Sequence, residues 1–290
     1  MMRAREFGIL MHPSSLPSPH GIGDFGAEAR QFVDWLSDVG ARVWQILPLV
    51  PPGAGNSPYS TWSAFSGNPL LIDLDELVRI NLLPELEIPA GLSVGSVNFE
   101  SVTRFKAERL NFAAEIFLKT PEHPLQEGFS RFLDEQHWVL DAALFSVIKA
   151  SESQRPWWAW PAALKDRAPD ALIDIKRELD WEIRKFCVLQ YFFDIQWRDL
   201  RKYCVGKGVE ILGDMPIYVD ADSVDVWCNR AQFQLDEGGL PKQVAGVPPD
   251  AFSETGQLWG NPLYDWDHMR TDGYSWWIKR LARGFALTDR

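Results

Sequence analysis

The chain has no excess of positive charge. Its 29 Lys and Arg against 40 Asp and Glu leave a net charge of -11 at pH 7 and a pI of about 5.0. That excludes nucleic acid as a natural partner, because its binding draws on many Lys and Arg contacts to phosphate, and it disfavours an anionic membrane surface. Cysteine is sparse: Cys187, Cys204 and Cys228 are odd in number, widely spaced and form no C-x-x-C pair. They read as reduced thiols in a reducing compartment. No apolar run approaches the roughly 18 residues of a membrane span. The N-terminal "MMRAREFGILMHPSSLP" lacks an h-region of signal-peptide length. The five histidines are scattered without H-x-x-x-H spacing, so no metal site is expected. Neither a G-x-S-x-G elbow nor a Walker loop occurs.

What is present points to a folded protein with a neutral substrate. The 290 residues are 46% hydrophobic, enough for a sizeable core in one large domain or two ordinary ones. Fourteen tryptophans are many for this length. Most are expected in the core, but an indole face also stacks on the apolar C–H face of a sugar ring.

One short motif, "GIGDFG" at 21–26, matches the G-x-G-x-x-G fingerprint of dinucleotide binding. Its context argues against that chemistry. The fingerprint needs its first glycine directly after a strand, and here eight residues, three of them proline, separate His12 from Gly21. It also needs an acidic residue near the end of the second strand, where this chain has Pro48, Leu49, Val50 and Pro51. The glycines instead shape a long loop that enters a helix near Asp24.

The organisation is α/β. "FGILMH" (7–12) and "ARVWQILPLV" (41–50) read as buried strands, joined by the helix "AEARQFVDWLSDVG" with Phe32, Trp35, Leu36 and Val39 on one face and Gly40 as its stop. A strand–helix–strand unit implies a parallel pair with a right-handed crossover. Residues 53–69 are a turn-rich loop. From about 70 to 204 the pattern is helical, best over 172–200, where Leu172, Ile175, Leu179, Ile183, Phe186, Phe193, Trp197 and Leu200 recur at spacings of three, four or seven, ending near Gly206 and Gly208. "VEILGDMPIYV" (209–219) reads as a third strand. The gap between strands two and three exceeds an ordinary crossover and implies an inserted helical subdomain. The boundaries are then 1–70, 71–204 and 205–290. A turn-rich loop follows strand three, and a final helix, "YSWWIKRLARGFAL", puts Trp277, Leu281 and Phe285 on one face.

Candidate chemistry collects at the strand ends. Asp214 sits at the C-terminal end of the third strand, the edge that carries the site in parallel α/β folds. "VPPDAFSETGQLWGNP" packs Asp250, Ser253, Glu254, Gln257, Trp259 and Asn261 into one loop with Phe252. Exposing such aromatics is costly, so Phe252 and Trp259, like Tyr59 and Trp62 earlier, are expected to be covered.

Four segments, "GILMHPSSLPSPHGIGDFG", "VWQILPLVPPGAGNSPYSTWSAFSGNPLLIDL", "EILGDMPIYVDADSVDVW" and "VAGVPPDAFSETGQLWGNPLYDW", resemble the 4-alpha-glucanotransferases, the amylomaltase or plastid disproportionating-enzyme family. The resemblance runs from about Phe7 to the end. It implies a (β/α)8 TIM barrel with a helical insertion, of which this chain holds the first three strands. It implies cofactor-free, metal-free transfer of an α-1,4-glucan segment to the 4-hydroxyl of another maltooligosaccharide or starch glucan, in the cytoplasm or a plastid stroma. By the same resemblance Ser57, Tyr59, Asp214, Gln257 and Trp259 line the sugar sites, and Asp250, Phe252 and Ser253 belong to a lid loop. No catalytic residue is implied within the chain: the family's nucleophilic Asp belongs to a "V-R-I-D-H-F-R-G" strand expected just beyond Arg290, and its acid/base Glu lies later. The resemblance therefore implies an incomplete, inactive portion. A non-catalytic glucan-binding protein and an α-amylase-like hydrolase are the alternatives. An unfinished barrel is further expected to leave the outer edge of its third strand unpaired.

Overall fold

In the computed structural model, which describes residues 5–93 and 95–290, three short strands form a parallel sheet in the order β1 (Gly8–Leu10), β2 (Val43–Gln45), β3 (Glu210–Leu212). The register pairs Ile9 with Trp44 and Trp44 with Ile211. Each strand is shorter than its apolar run in the sequence. The runs at 7–12, 41–50 and 209–219 include the segments that leave the sheet toward its C-terminal edge, where Pro48, Pro51 and Pro216 have no N–H for a ladder.

The outer edge of β3 is not bare. Asp289 and Arg290 lie beside it in the parallel sense: the Arg290 N–H donates to the Ile211 carbonyl at 3.1 Å, and the Gly213 N–H donates to the Arg290 carbonyl at 3.0 Å. The Arg290 guanidinium also pairs with Glu6 and Glu210. The open edge expected at β3 is therefore occupied by the last two residues of the chain.

Helix α1 (Ala27–Asp38) joins β1 to β2. It buries Ala29, Val33 and Leu36, while Trp35 and Val39 are exposed. Of the expected face, Leu36 is buried and Phe32 packs on Trp44 at 5.3 Å; the seam is completed not by Trp35 and Val39 but by Val33 and small Ala29, which a search for bulky side chains passes over. Between β2 and β3 run α2 (Leu74–Arg79), α3 (Phe99–Lys119), α4 (Gln126–Glu135), α5 (Trp138–Ser151), α6 (Ala162–Lys165), α7 (Pro169–Glu178) and α8 (Asp180–Gly206). The expected single helix over 172–200 is two, broken at Leu179, where φ and ψ are -110° and 25°. α8 packs on α3, α4, α5 and α7 and also on α1 and β3, so one continuous core joins the helices to the sheet. Trp44, Trp157, Trp197 and Trp227 are its largest fully buried side chains.

After β3 come α9 (Val224–Cys228), an antiparallel hairpin of β4 (Val244–Val247) and β5 (Gln257–Pro262), then α10 (Trp266–Thr271) and α11 (Ser275–Leu287). The hairpin falls where the turn-rich composition suggested only loop. α11 buries Trp276, Arg280 and Arg283, at i, i+4 and i+7, whereas Leu281 and Phe285 are exposed. Polar need overrides the apolar stripe. Arg280 donates to the carbonyls of Pro216 and Ile217 and to the Tyr264 hydroxyl, and Arg283 donates to Asp194 and the Phe65 carbonyl. The carbonyls of Pro216 and Phe65 have no other donor among the described residues, and a buried acceptor without a partner is costly.

Candidate functional site

The segments that leave β1, β2 and β3 emerge on one side of the sheet, at the C-terminal ends of the strands. The β1 exit contains "GIGDFG". Gly21 has φ +81°, and a Cβ at Gly23 would collide with the Pro13 carbonyl oxygen, so both glycines serve the path of this loop. Its Asp24 is buried, accepts from the Gly26 N–H at 3.1 Å just before α1, and meets Lys106 Nζ at 3.1 Å and His20 Nδ1 at 3.2 Å. Burial alone would raise the Asp24 carboxyl, but the Lys106 ammonium and His20 outweigh it and hold the carboxyl below the usual range. Nearby Asp73, half-buried and close to the Asp24 charge, is pushed up to about 6 by desolvation first and then by that charge. His20, Asp24 and Asp73 bring ligand atoms within 4.8 Å of one another, a juxtaposition that no histidine spacing in the sequence signals. Lys106, itself fully buried, supplies the positive charge of this cluster.

The exits of β2 and β3 meet. The Tyr59 hydroxyl donates to Asp214 Oδ2 at 2.6 Å across 155 residues of sequence. That bond, then burial and the Asp214 charge, push the Tyr59 phenol up to about 12, so Tyr59 stays a neutral donor over the working pH range. Tyr59 is nevertheless 48% exposed. Ser57 is spent locally, its Oγ accepting from the Tyr59 N–H at 3.3 Å. On the hairpin, Trp259 Nε1 donates to Gln257 Oε1 at 3.0 Å and the indole lies 6.3 Å from the Tyr218 ring; Trp259 is 46% exposed. The five residues proposed to line a site therefore fall into two contact groups, Ser57–Tyr59–Asp214 and Gln257–Trp259.

The link between the two groups is Asp220, which sequence reasoning missed. Asp220 accepts from Ser60 Oγ at 2.7 Å on the β2 exit and from Asn261 Nδ2 at 3.3 Å on the hairpin; Asn261 also donates to the Val219 carbonyl at 2.9 Å. Burial pushes the Asp220 carboxyl up, and these two hydrogen bonds pull it partly back. The signal was in the quoted segment "EILGDMPIYVDADSVDVW", but five acidic residues there gave no way to choose one.

Between β4 and β5, Asp250 Oδ1 accepts from the N–H groups of Phe252 and Ser253, both at 2.8 Å, and Ser253 Oγ donates to the Gly256 carbonyl at 2.7 Å. Asp250 and Ser253 thus build a tight turn that carries Phe252 outward, 95% exposed. The expectation that Phe252, Trp259 and Tyr59 are covered fails for all three; Trp62 is half-buried against Phe145 and Phe186. A half-exposed Tyr and Trp with satisfied polar tips offer apolar faces and hydrogen-bonding edges to a ligand at little further desolvation cost.

Cys187 and Cys204 are buried, which pushes both thiols up to about 12, and Cys228 is raised for the same reason; all three are free. No helix among the described residues is long and apolar enough to cross a membrane.

Residues 11–290 match the family model for 4-alpha-glucanotransferase. The chain is 47% identical to the chloroplastic/amyloplastic 4-alpha-glucanotransferase of Oryza sativa subsp. japonica, over 99% of this chain and 49% of that protein. It is 44% identical to the 4-alpha-glucanotransferase of Thermus thermophilus, over 98% of this chain and 56% of that one. The solved amylomaltase from Streptococcus agalactiae in complex with acarbose superposes with a TM-score of 0.93 at 40% identity, over 99% of this chain and 58% of that one. The chain thus spans about half the length of the relatives it matches. With the family model covering nearly every residue and the fold agreeing, the chain belongs to the 4-alpha-glucanotransferase family.

Proposed function

We propose that this chain carries a glucan-binding wall of a 4-alpha-glucanotransferase, the enzyme that moves α-1,4-glucan segments between maltooligosaccharides or starch-derived glucans. The observation that carries the reading is the Tyr59–Asp214 hydrogen bond at 2.6 Å, with both residues exposed at the C-terminal ends of β2 and β3. Tyr59 and Trp259 offer ring faces to pyranose units, Asp214 and Gln257 accept from or donate to sugar hydroxyls, and Ser57 fixes the turn that aims Tyr59. Asp250 and Ser253 shape a lid tip that presents Phe252 to a bound glucan. The pairing of Asp289 and Arg290 with β3 supports continuation of the parallel sheet toward a (β/α)8 barrel, with 71–204 as its helical insertion. The free, high-pKa thiols suit a reducing compartment, cytoplasm or plastid stroma.

The reaction proposed for the whole enzyme is a retaining double displacement, which needs a nucleophilic carboxylate and an acid/base carboxyl about 5 Å apart across the scissile bond. We assign neither role to a residue of this chain; the resemblance puts both outside it. Residues 1–290 then bind glucan and do not turn it over. Titration of the purified chain with maltoheptaose, against cellohexaose as the β-1,4 control, tests the binding. Incubation with maltotriose tests the rest: no glucose and no maltopentaose are expected. Absence of maltoheptaose binding would overturn the glucan assignment, and a ladder of products would overturn the division of roles.

A further inference from the structure

The mouth of the sheet is assembled from three segments far apart in sequence, and each reaches the same carboxylate. Asp220 Oδ2 accepts from Ser60 Oγ at 2.7 Å, Asp220 Oδ1 lies 3.3 Å from the Asn261 amide, and the Asp220 backbone N–H donates to the Thr61 carbonyl at 3.2 Å. The contact with the β2 exit is tight enough that a Cβ at Gly53 would strike both Asp220 Oδ2 and Ser60 Oγ. Tyr59 sits one residue from Ser60, and Trp259 two residues from Asn261. The two rings of the glucan wall do not touch each other; their common anchor is Asp220.

Its near neighbour does a different job. Asp222 pairs with Lys149 on α5 and accepts from the Trp157 N–H at 3.2 Å, and Trp157 Nε1 donates to the Ala221 carbonyl at 2.8 Å. Asp222 therefore ties the β3 exit to the helices, while Asp220 ties it to the mouth. One stretch, Asp220–Ala221–Asp222, is bonded on both sides, so the mouth loops are registered to the rigid core through it.

We propose that Asp220 is a positioning residue for glucan binding: it touches no substrate, and it holds Tyr59 and Trp259 at a fixed separation by bonding Ser60 and Asn261 at once. The affinity consequence rests on the glucan reading above; the loop-anchoring consequence does not. A ligand that spans both rings must order both loops if Asp220 is absent, and ordering on binding is taken from the affinity. Removing hydrogen bonds to a charged acceptor on this scale corresponds to an affinity loss of about tenfold or more.

The test compares Asp220→Ala, Asp220→Asn and Ser60→Ala in the full 290-residue chain. Maltoheptaose affinity, melting midpoint and amide hydrogen exchange are read on the same samples. Asp220→Ala is expected to weaken maltoheptaose about tenfold with a midpoint close to that of the parent. Exchange should rise in 53–61 and 257–262 and stay unchanged in 155–160. Asp220→Asn keeps an acceptor for Asn261 and gains an N–H for Ser60 Oγ, so it should recover most of the affinity; Ser60→Ala should loosen 53–61 alone. Unchanged affinity and exchange in Asp220→Ala would overturn the proposal. A lowered midpoint with exchange raised throughout would also overturn it, by making the role one of general stability. If the parent chain binds no maltoheptaose, the glucan reading fails, and exchange in 53–61 and 257–262 decides the anchoring by itself.

Discussion

Trp197 and Trp259 are the same side chain used in opposite ways. Trp197, on α8, is 1% exposed, packs 5.0 Å from Phe25, and sends its N–H at 2.8 Å to the Leu287 carbonyl, 90 residues away. Trp259, on the hairpin, is 46% exposed and sends its N–H to Gln257, two residues away. The first ring is bound by long-range contacts and its N–H bond closes the core over α11. The second is satisfied locally and leaves its face open. The chain thus divides into a region where aromatic rings hold the fold and a region where they are held out by it. The core region also carries buried charges, Lys106 and Asp24 among them, and although rings such as Trp35 are exposed elsewhere, Tyr59 and Trp259 are exposed where the strand ends meet.

The strongest way to break the core side of this comparison is at Lys106. Its ammonium is fully buried against Asp24 and donates to the Leu70 carbonyl at 2.8 Å. Lys106→Met leaves Asp24 buried near Asp73 with only His20 beside it. Removing one partner of a buried pair costs about 3–5 kcal/mol. Urea unfolding should show that loss with glucan affinity retained in the folded fraction; a loss under about 1 kcal/mol would mean the cluster is solvated in solution.

A second, smaller effect is pH-dependent. Burial pushes the Asp225 carboxyl up to about 6 from the ordinary 3.8 of an aspartate, while it accepts from the Ala64 N–H at 2.7 Å. A carboxyl whose folded pKa is raised gives stability that is fully present below the unfolded pKa and is lost as pH rises through the folded one. Between about pH 4 and pH 6 this group alone should lower stability by up to about 1.4 kcal/mol per pH unit. Asp225→Asn keeps an acceptor for Ala64 and removes the titration, so subtracting its stability curve from the parent's isolates the slope. His12, lowered by burial to about 4, works in the opposite sense and cancels in the difference. Parallel curves for parent and variant between pH 4 and pH 6 would show that Asp225 is not desolvated.

The sequence revealed the two regions unequally. The parallel strands, the loop role of Gly21 and Gly23 and the long helix ending at Gly206 follow from apolar runs, proline positions and glycine placement, which are local properties. Tyr59, Asp214 and Trp259 stand as candidates through the family resemblance and, for Asp214, through its place at a strand end. The seams of α1 and α11 were only partly legible, through Leu36, Phe32 and Trp277, because burial there is also set by what lies opposite: small Ala29 is fully buried in α1, and carbonyls need the Arg280 and Arg283 donors in α11. Asp220 and Lys106 were invisible for the same reason. Their partners lie 160 and 82 residues away, and a lone Asp or Lys carries no periodicity.

The central claim is that the mouth rings are free for glucan and the core rings are not. It is tested most directly by measuring the melting midpoint and the maltoheptaose affinity of Tyr59→Ala, Trp259→Ala and Trp197→Ala on the same samples. Trp197→Ala should cost about 3–5 kcal/mol of stability by leaving a cavity. For each mouth ring, a sugar face covering about a quarter of an aromatic surface is worth about 1–1.5 kcal/mol, an affinity loss of roughly five- to tenfold. The midpoint should barely move for either. A collapsed midpoint for Trp259→Ala or Tyr59→Ala, or unchanged affinity for both, would contradict the account.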